Sequence, residues 1–308
     1  MMKRIGKYFY QFAGVGLLLW LIWGIGINAI WDAVSNVSVT SLVLLCFIGV
    51  LSLCLRMIKV SLLNSNLTWR DSSEIALISR IGAQISMFLS IAPVAQKRFR
   101  QASVLNGLLV DRVLEVLATL VIALLFSLLL IFKHDWIGVF SAIFSFQIIV
   151  FFLFLRVKIR KFSRFNIVHK IVEQLDRFTS TFLKEKKLLL RLSALTFVAT
   201  LCDFLCVFIV FGALGVEFHF GYIPIIWAVS STVGMITFLN VGPSEISWVY
   251  LFTTLVNVSS VYTSAMILIT RFFDIVVLLM TYIGIAIVKS LSEERIKPVL
   301  TSPSDNGI

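Results

Sequence analysis

Long apolar stretches separated by short basic segments dominate this sequence. Six of them are long enough to cross about 30 Å of hydrocarbon as α-helices. We therefore predict spanning helices at residues 8–30, 41–62, 107–132, 136–157, 192–214 and 262–288. This pattern is typical of an all-α integral membrane protein that crosses the bilayer several times.

Two further apolar stretches stop at a proline. Residues 74–92 end before Pro93, and residues 222–242 run up to Pro243. A shorter or less regular segment follows each of them. Because non-helical backbone at membrane depth survives only where protein or water covers it, we predict two re-entrant, broken-helix elements around an internal cavity.

The basic residues predict the orientation of the chain. If the N-terminus is cytoplasmic and both broken stretches return to the side they entered from, only Lys133 of the 27 Lys and Arg residues lies outside. Arg56 is close enough to the inner end of its helix to be expected to snorkel to the interface. This asymmetry predicts that both termini face the cytoplasm. Four basic residues, Arg56, Arg80, Arg112 and Arg271, are counted as lying within apolar segments, and the other 22 are counted as cytoplasmic.

The chain divides into two membrane repeats, residues 1–155 and 192–289. Between them, residues 156–191 are basic and carry apolar residues at helical spacing. This segment is either an amphipathic helix on the inner leaflet or a simple connector. Residues 290–308 are polar, which predicts a disordered cytoplasmic tail.

The two repeats share a short motif. The sequence FLSIAP, ending at Pro93, matches FLNVGP, ending at Pro243, position by position. An Arg-x-x-acid pattern follows each motif, beginning at Arg112 and at Arg271. In the predicted topology the two halves run in opposite directions. Inverted repeats with broken helices that meet near the midplane are a recurring architecture of secondary transporters.

Charged residues inside the apolar stretches form the candidate site. An arginine at the bilayer centre costs at least about 2.5–3.5 kcal/mol, so it marks a functional position. Arg112 and Arg271 are candidates to bind phosphate, because a guanidinium is planar and stays charged. Glu115 and Asp274 lie three residues further along the same helices and can pair with them. Asp111 is a further charge partner. The alternative is that these pairs only hold helices together.

The second break supplies further candidates. Glu245 follows Gly242-Pro243-Ser244 and is a candidate charge partner. Free N–H groups at a helix start beside a broken segment favour anions. The other residues of this break are Asn240, Gly242, Pro243 and Ser244.

Charges elsewhere have less specific roles. Lys97, Arg98 and Arg100 form a basic cluster after the first break. The cluster is either a vestibule for lipid headgroups or ordinary positive-inside charge. Arg80 and Asp203 are intramembrane charges that could pair across the bundle, although no spacing links them.

Signals for other functional classes are weak. The chain is 59% apolar, well above a soluble domain. Its net charge is +11, and the Lys and Arg residues cluster between the apolar stretches. This position favours anionic lipid headgroups over nucleic acid as partners. Neither the histidines nor the cysteines show metal-ligand spacing, so we expect no metal and no cofactor. We expect no enzyme activity; the alternative is an embedded transferase acting through Asp111, Glu115 or Glu245.

Several motifs together point to a family. They are Leu55-Arg56, the break at Pro93, Asp111-Arg112, Gly242-Pro243-Ser244-Glu245 and Arg271. In these the chain resembles the flippase-type membrane region of lysylphosphatidylglycerol synthases, over roughly residues 8–288. The first break departs from the family's glycine-rich pattern, since Val-Ala-Gln-Lys-Arg follows its proline. The soluble aminoacyl-transferase domain has no counterpart here, so the resemblance implies translocation of a lipid or lipid-linked group.

The sequence therefore predicts a lipid flippase of the bacterial inner membrane. Its expected cargo is an anionic lipid or a polyprenyl-phosphate-linked glycan. The alternatives are a secondary transporter of a small anion and a non-transporting partner of a cell-envelope assembly enzyme.

Overall fold

A computed structural model describes residues 16, 19–20, 23–63, 68–85, 102–131, 136, 186–237 and 242–296. Within these ranges the regular structure is helical and no residue lies in a β-strand. The helices are α1 (Ile27–Ser35), α2 (Val39–Leu63), α3 (Trp69–Ile85), α4 (Ala102–Ile131), α5 (Lys186–Ala213), α6 (Tyr222–Thr237), α7 (Pro243–Leu255) and α8 (Ser260–Ile296).

Four of these helices are long and apolar enough to cross a membrane. They are α2, α5, the Asp111–Ile131 part of α4 and the Ser260–Ile285 part of α8. At a rise of about 1.5 Å per residue, each covers the hydrocarbon thickness. They match four of the six predicted spans, so the described part of the chain is helical and consistent with a membrane protein. The other two predicted spans, 8–30 and 136–157, lie largely outside the described residues.

The predicted break at Pro243 is a real interruption between two helices. Helix α6 ends at Thr237, and α7 begins at Pro243, where the absent N–H of proline costs no helical hydrogen bond. Gly242 precedes it with φ of 97°, a conformation that a side chain disfavours. The Glu245 carboxylate accepts a 2.6 Å hydrogen bond from the Gly242 N–H and so caps α7.

Helix α2 packs along α5, and α4 contacts both α5 and α6. Helix α8 closes the bundle against α1, α5 and α7. Phe204, Phe211 and Phe252 fill the centre of the largest apolar cluster with no exposed surface. On the outside, large apolar side chains such as Phe47 and Phe272 are exposed, as expected for surfaces that face lipid.

The structure changes the predicted limits of the linker and of the C-terminal tail. Helix α5 begins at Lys186, six residues before the predicted span, so residues 186–191 are helical rather than linker. Helix α8 continues to Ile296, so the first residues of the predicted disordered tail are helical. The sequence has no glycine or proline between 285 and 297, and therefore nothing breaks the helix there.

Several predictions from the sequence concern residues that the structure does not describe. Most of the basic segment 156–191 and residues 297–308 lie outside the described ranges. So do Pro93 and Asn240 of the two breaks, and the basic cluster of Lys97, Arg98 and Arg100.

Candidate functional site

A central cavity of about 530 Å³ lies among helices α2 to α8. Its lining combines apolar side chains with an unusual number of charges for a membrane interior. Arg112 comes from the first predicted repeat and Arg271 from the second, and both line this one cavity. The charged residues of the lining are Arg56, Arg80, Arg112, Arg271, Glu115, Asp203, Glu245 and Asp274.

The predicted pair on α4 is present. The Arg112 Nη1 atom lies 2.6 Å from Glu115 Oε2, at the i,i+3 spacing of one helix face. Arg112 Nη2 also donates to the hydroxyl of Ser79 on α3, at 2.9 Å, and to its carbonyl oxygen, at 3.1 Å. The guanidinium is thus fixed by two helices at the cavity wall.

The prediction that Arg56 snorkels to the interface is wrong. Arg56 is buried, and its Nη2 lies 2.6 Å from Asp203 Oδ2 on α5, while Nη1 contacts Glu115 on α4. Ser52, one turn earlier on α2, donates to the other Asp203 oxygen at 2.8 Å. Because α4 and α5 enclose this face of α2, carboxylates rather than headgroups solvate the guanidinium.

Lys59 is a member of the network that sequence reasoning missed. The positive-inside count placed it among the cytoplasmic charges, yet it is fully buried within α2. Its Nζ lies 2.5 Å from Asp111 Oδ1 and 3.3 Å from Glu115 Oε1. Ser52, Arg56 and Lys59 are spaced four and three residues apart, a polar stripe on one helix face that could have revealed the site.

Arg80 and Asp203 do pair across the bundle. Arg80 Nη1 on α3 lies 3.5 Å from Asp203 Oδ2 on α5. Arg80 Nη2 also lies 3.4 Å from Asp274 Oδ1 on α8. Arg80 therefore links helix α3 to helices α5 and α8, which belong to the other predicted repeat.

Arg271 has a different partner from the one predicted. Its Nη2 contacts Glu245 Oε1 at the start of α7, whereas Asp274 contacts Arg80. Helix α7 packs directly on α8, so a tertiary contact replaces the local i,i+3 pair. Glu245 also accepts hydrogen bonds from the Gly242 N–H and from the Ser244 hydroxyl.

These contacts form a connected network of eight described residues, with Arg271 and Glu245 as a separate ion pair at the same cavity. Together they make a set with equal numbers of acidic and basic residues. Its basic members are Arg56, Lys59, Arg80, Arg112 and Arg271, and its acidic members are Asp111, Glu115, Asp203, Glu245 and Asp274. Such a balance is expected because an uncompensated charge in a low-dielectric interior is strongly destabilising. The most accessible side chains of this set are those of Asp274 and Arg271, which are 33% and 32% exposed, against 10% for Arg56.

Aromatic and hydroxyl groups complete the cavity. The Trp227 and Trp248 rings meet edge to face, with centroids 5.3 Å apart, and both line the cavity. Thr200, Thr232 and Thr270 add hydroxyl groups to the wall. Among the described residues, no cluster of three or more His, Cys, Asp or Glu side chains could hold a metal ion.

The family described as the lysylphosphatidylglycerol synthase TM region matches residues 9–281 of this chain. The chain belongs to this family. The match spans both predicted repeats and confirms the resemblance drawn from the motifs. No curated protein and no solved structure matches the chain.

Four of the five motifs that carried the resemblance to this lysylphosphatidylglycerol synthase membrane region converge in space, and the fifth, the break at Pro93, lies outside the described residues. Arg56, Arg112, Ser244, Glu245 and Arg271 all line the central cavity. They lie far apart in the sequence and on four different helices. The cavity is therefore the structural feature that these four motifs share.

Proposed function

We propose that this protein moves an anionic lipid, or a polyprenyl-phosphate-linked glycan, between the leaflets of the bacterial inner membrane. The observation that carries the proposal is the position of Arg112 and Arg271 in one cavity between the two halves. Guanidinium groups suit phosphate oxygens, and nothing in the ordinary pH range removes their charge.

The size of the cavity supports binding of a headgroup. A volume of about 530 Å³ lies within the usual range of small-ligand sites. In this proposal the phosphate enters the cavity and the acyl or polyprenyl chains stay in the bilayer. Glu115 holds Arg112 in position in the empty site, and Glu245 does the same for Arg271. Asp274 contributes by fixing Arg80 at the same wall.

The transport cycle that we propose uses six spanning helices and two re-entrant elements, related as an inverted repeat with both termini inside. The interruption between α6 and α7 supports the second re-entrant element. Opposed halves have two similar conformations open to opposite sides, as alternating access requires. The contacts of Arg56 and Arg80 with Asp203 cross between the halves, so they would rearrange during the cycle.

A carrier of a small soluble anion is the second candidate. The cavity volume favours it, because a free anion of headgroup size would fill the site without any lipid chain. We propose transport rather than catalysis in either case. A transferase would form product in detergent, without a sealed compartment, whereas a carrier or a non-transporting partner would form none.

Reconstitution into liposomes tests the proposal. Fluorescently labelled phosphatidylglycerol and labelled phosphatidylcholine are compared by quenching of the outer leaflet with a membrane-impermeant reductant. We expect the wild type to speed translocation of the anionic lipid, and Arg112→Ala and Arg271→Ala to lose that effect. Lys187→Ala, at an exposed position of α5, is the matched control and should keep it.

Equal translocation by wild type and both arginine variants would refute the phosphate-binding role. Uptake of a small anion without any lipid movement would instead establish the second candidate.

A further inference from the structure

Glu245 occupies both of the features that would attract a phosphate at the second break. One carboxylate oxygen contacts Arg271, and the other accepts the Gly242 N–H at 2.6 Å and the Ser244 hydroxyl at 3.1 Å. Its side chain is only 4% exposed. The carboxylate thus takes the place of a ligand at Arg271 and at the N-terminus of the 13-residue helix α7.

The carboxylate on the other side of the cavity is held differently. Glu115 contacts three basic side chains, Arg112, Arg56 and Lys59. If a phosphate binds Arg112, Glu115 retains its contacts with Arg56 and Lys59. Among the described residues, Arg271 is the one basic group in contact with Glu245. A phosphate that takes Arg271 therefore leaves Glu245 as a buried carboxylate without a cation.

Within the part of the chain that the structure describes, the helices that contact α7 offer Glu245 no replacement cation. Helix α6, which packs against α7, contains no Asp, Glu, His, Lys or Arg. On α8, the other contacting helix, the next charged residue after Arg271 is Asp274, which is itself acidic. Across the cavity, Arg112 and Arg80 are already engaged with Glu115 and with acidic residues of the second half.

The numbers of acidic and basic residues at the site determine how a bound phosphate changes its net charge. Among the described residues of the site, acidic and basic members are equal in number, so a singly charged phosphodiester adds one negative charge that no described basic residue compensates. Such a charge is costly in a low-dielectric interior, and groups in this position neutralise instead. Glu245 is the carboxylate that loses its cation when phosphate binds, so protonation stabilises it more than the other carboxylates of the site.

We propose that phosphate binding at Arg271 is coupled to uptake of one proton by Glu245. The ionic contact between Arg271 and Glu245 breaks, and a proton from water forms an O–H bond at the freed carboxylate oxygen. The other oxygen keeps its hydrogen bond from Gly242. Phosphate and proton then occupy the site together without a change in its net charge, and both leave on release. This inference rests on the proposed function, because it requires the arginines to bind phosphate.

Titration calorimetry with a phosphodiester probe tests whether phosphate binding is coupled to proton uptake. Dihexanoyl phosphatidylglycerol, below its micellar concentration, is titrated into the full-length protein in detergent, in buffers of different ionisation enthalpy. The dependence of the binding heat on that enthalpy gives the protons taken up per ligand bound. Glu245→Gln keeps the shape of the side chain but cannot accept a proton, and Glu217→Gln, at an exposed position, is the matched control.

We expect one proton per phosphodiester for the wild type and for Glu217→Gln, and none for Glu245→Gln, which still binds. Binding by the wild type without proton uptake would overturn the coupling and leave the phosphate site intact. Unchanged uptake by Glu245→Gln would overturn the choice of acceptor. Absence of binding by the folded wild type would contradict the proposed function itself, and this inference with it.

Discussion

Arg56 on α2 and Asp203 on α5 join the two predicted repeats, with Nη2 and Oδ2 2.6 Å apart inside the bundle. The pair is not isolated, because the same guanidinium contacts Glu115 and the same carboxylate contacts Arg80. Ionic contacts therefore continue from α4 through α2 to α5 and α3. A change in the relative position of the halves has to break or exchange some of them.

Removal of Arg56 should destabilise the protein. Arg56→Met leaves Asp203 and Glu115 with one cation fewer, which costs about 3–5 kcal/mol for a broken buried pair. In a double-mutant cycle with Asp203→Asn, we expect a coupling of about 0.5–3 kcal/mol, because the two side chains share one contact. Thermal unfolding in detergent measures both quantities. Lys187→Met on the exposed side of α5 should leave Tm unchanged, and strictly additive losses for the pair would contradict the contact.

The close approach of α2 and α8 at Gly49 should tolerate no larger side chain. A Cβ atom at this position would lie 3.1 Å from Val277 Cγ2. Small residues permit such approaches between membrane helices. We expect Gly49→Leu to lower stability by about 1–3 kcal/mol through overpacking.

The matched control for this change is Gly284→Leu on α8, where nothing lies within 4 Å of the added Cβ. It should leave the thermal unfolding temperature unchanged. Adding Val277→Ala to Gly49→Leu should restore part of the loss. Equal Tm values for the two leucine variants would show that the helices do not approach at Gly49.

The break before α7 depends on the backbone of Gly242. Its φ of 97° is strained for any residue with a side chain, at a cost of about 1–3 kcal/mol. Gly242→Ala should therefore lower Tm. Gly212→Ala, near the end of α5 and with open space around it, should be neutral or stabilising by up to about 1 kcal/mol. A Gly242→Ala variant as stable as wild type would mean that the break has another conformation.

Hydropathy predicted the long helices well, because their signal is local. Four predicted spans appear with boundaries displaced by a few residues, and the pair of Arg112 with Glu115 follows from helical spacing alone. The true partner of Arg271 lies 26 residues away on another helix. A contact between two helices cannot be predicted from the spacing of residues along one helix.

The errors at Arg56 and Lys59 have a common physical cause. Arg56 is predicted to snorkel because of its distance from the helix end, and Lys59 is included in the cytoplasmic total of the positive-inside count. Neither prediction considers the helix face on which the side chain lies. Each is four or three residues from the next polar group of α2, on the face that α4 and α5 cover. Polar stripes of this kind, read together on several helices, would have predicted the network.

The relation between Arg112 and Arg271 tests the central claim most directly. Lipid translocation in liposomes is measured for wild type, Arg112→Ala, Arg271→Ala and the double variant, each first shown to be folded. If the two arginines bind one phosphate, each single change should slow translocation at least about tenfold, which corresponds to about 1.4 kcal/mol. The double variant should then be no slower than the slower single variant, since the shared site is already lost. Wild-type rates in either single variant, or losses that multiply in the double variant, would contradict a single phosphate site formed by both halves.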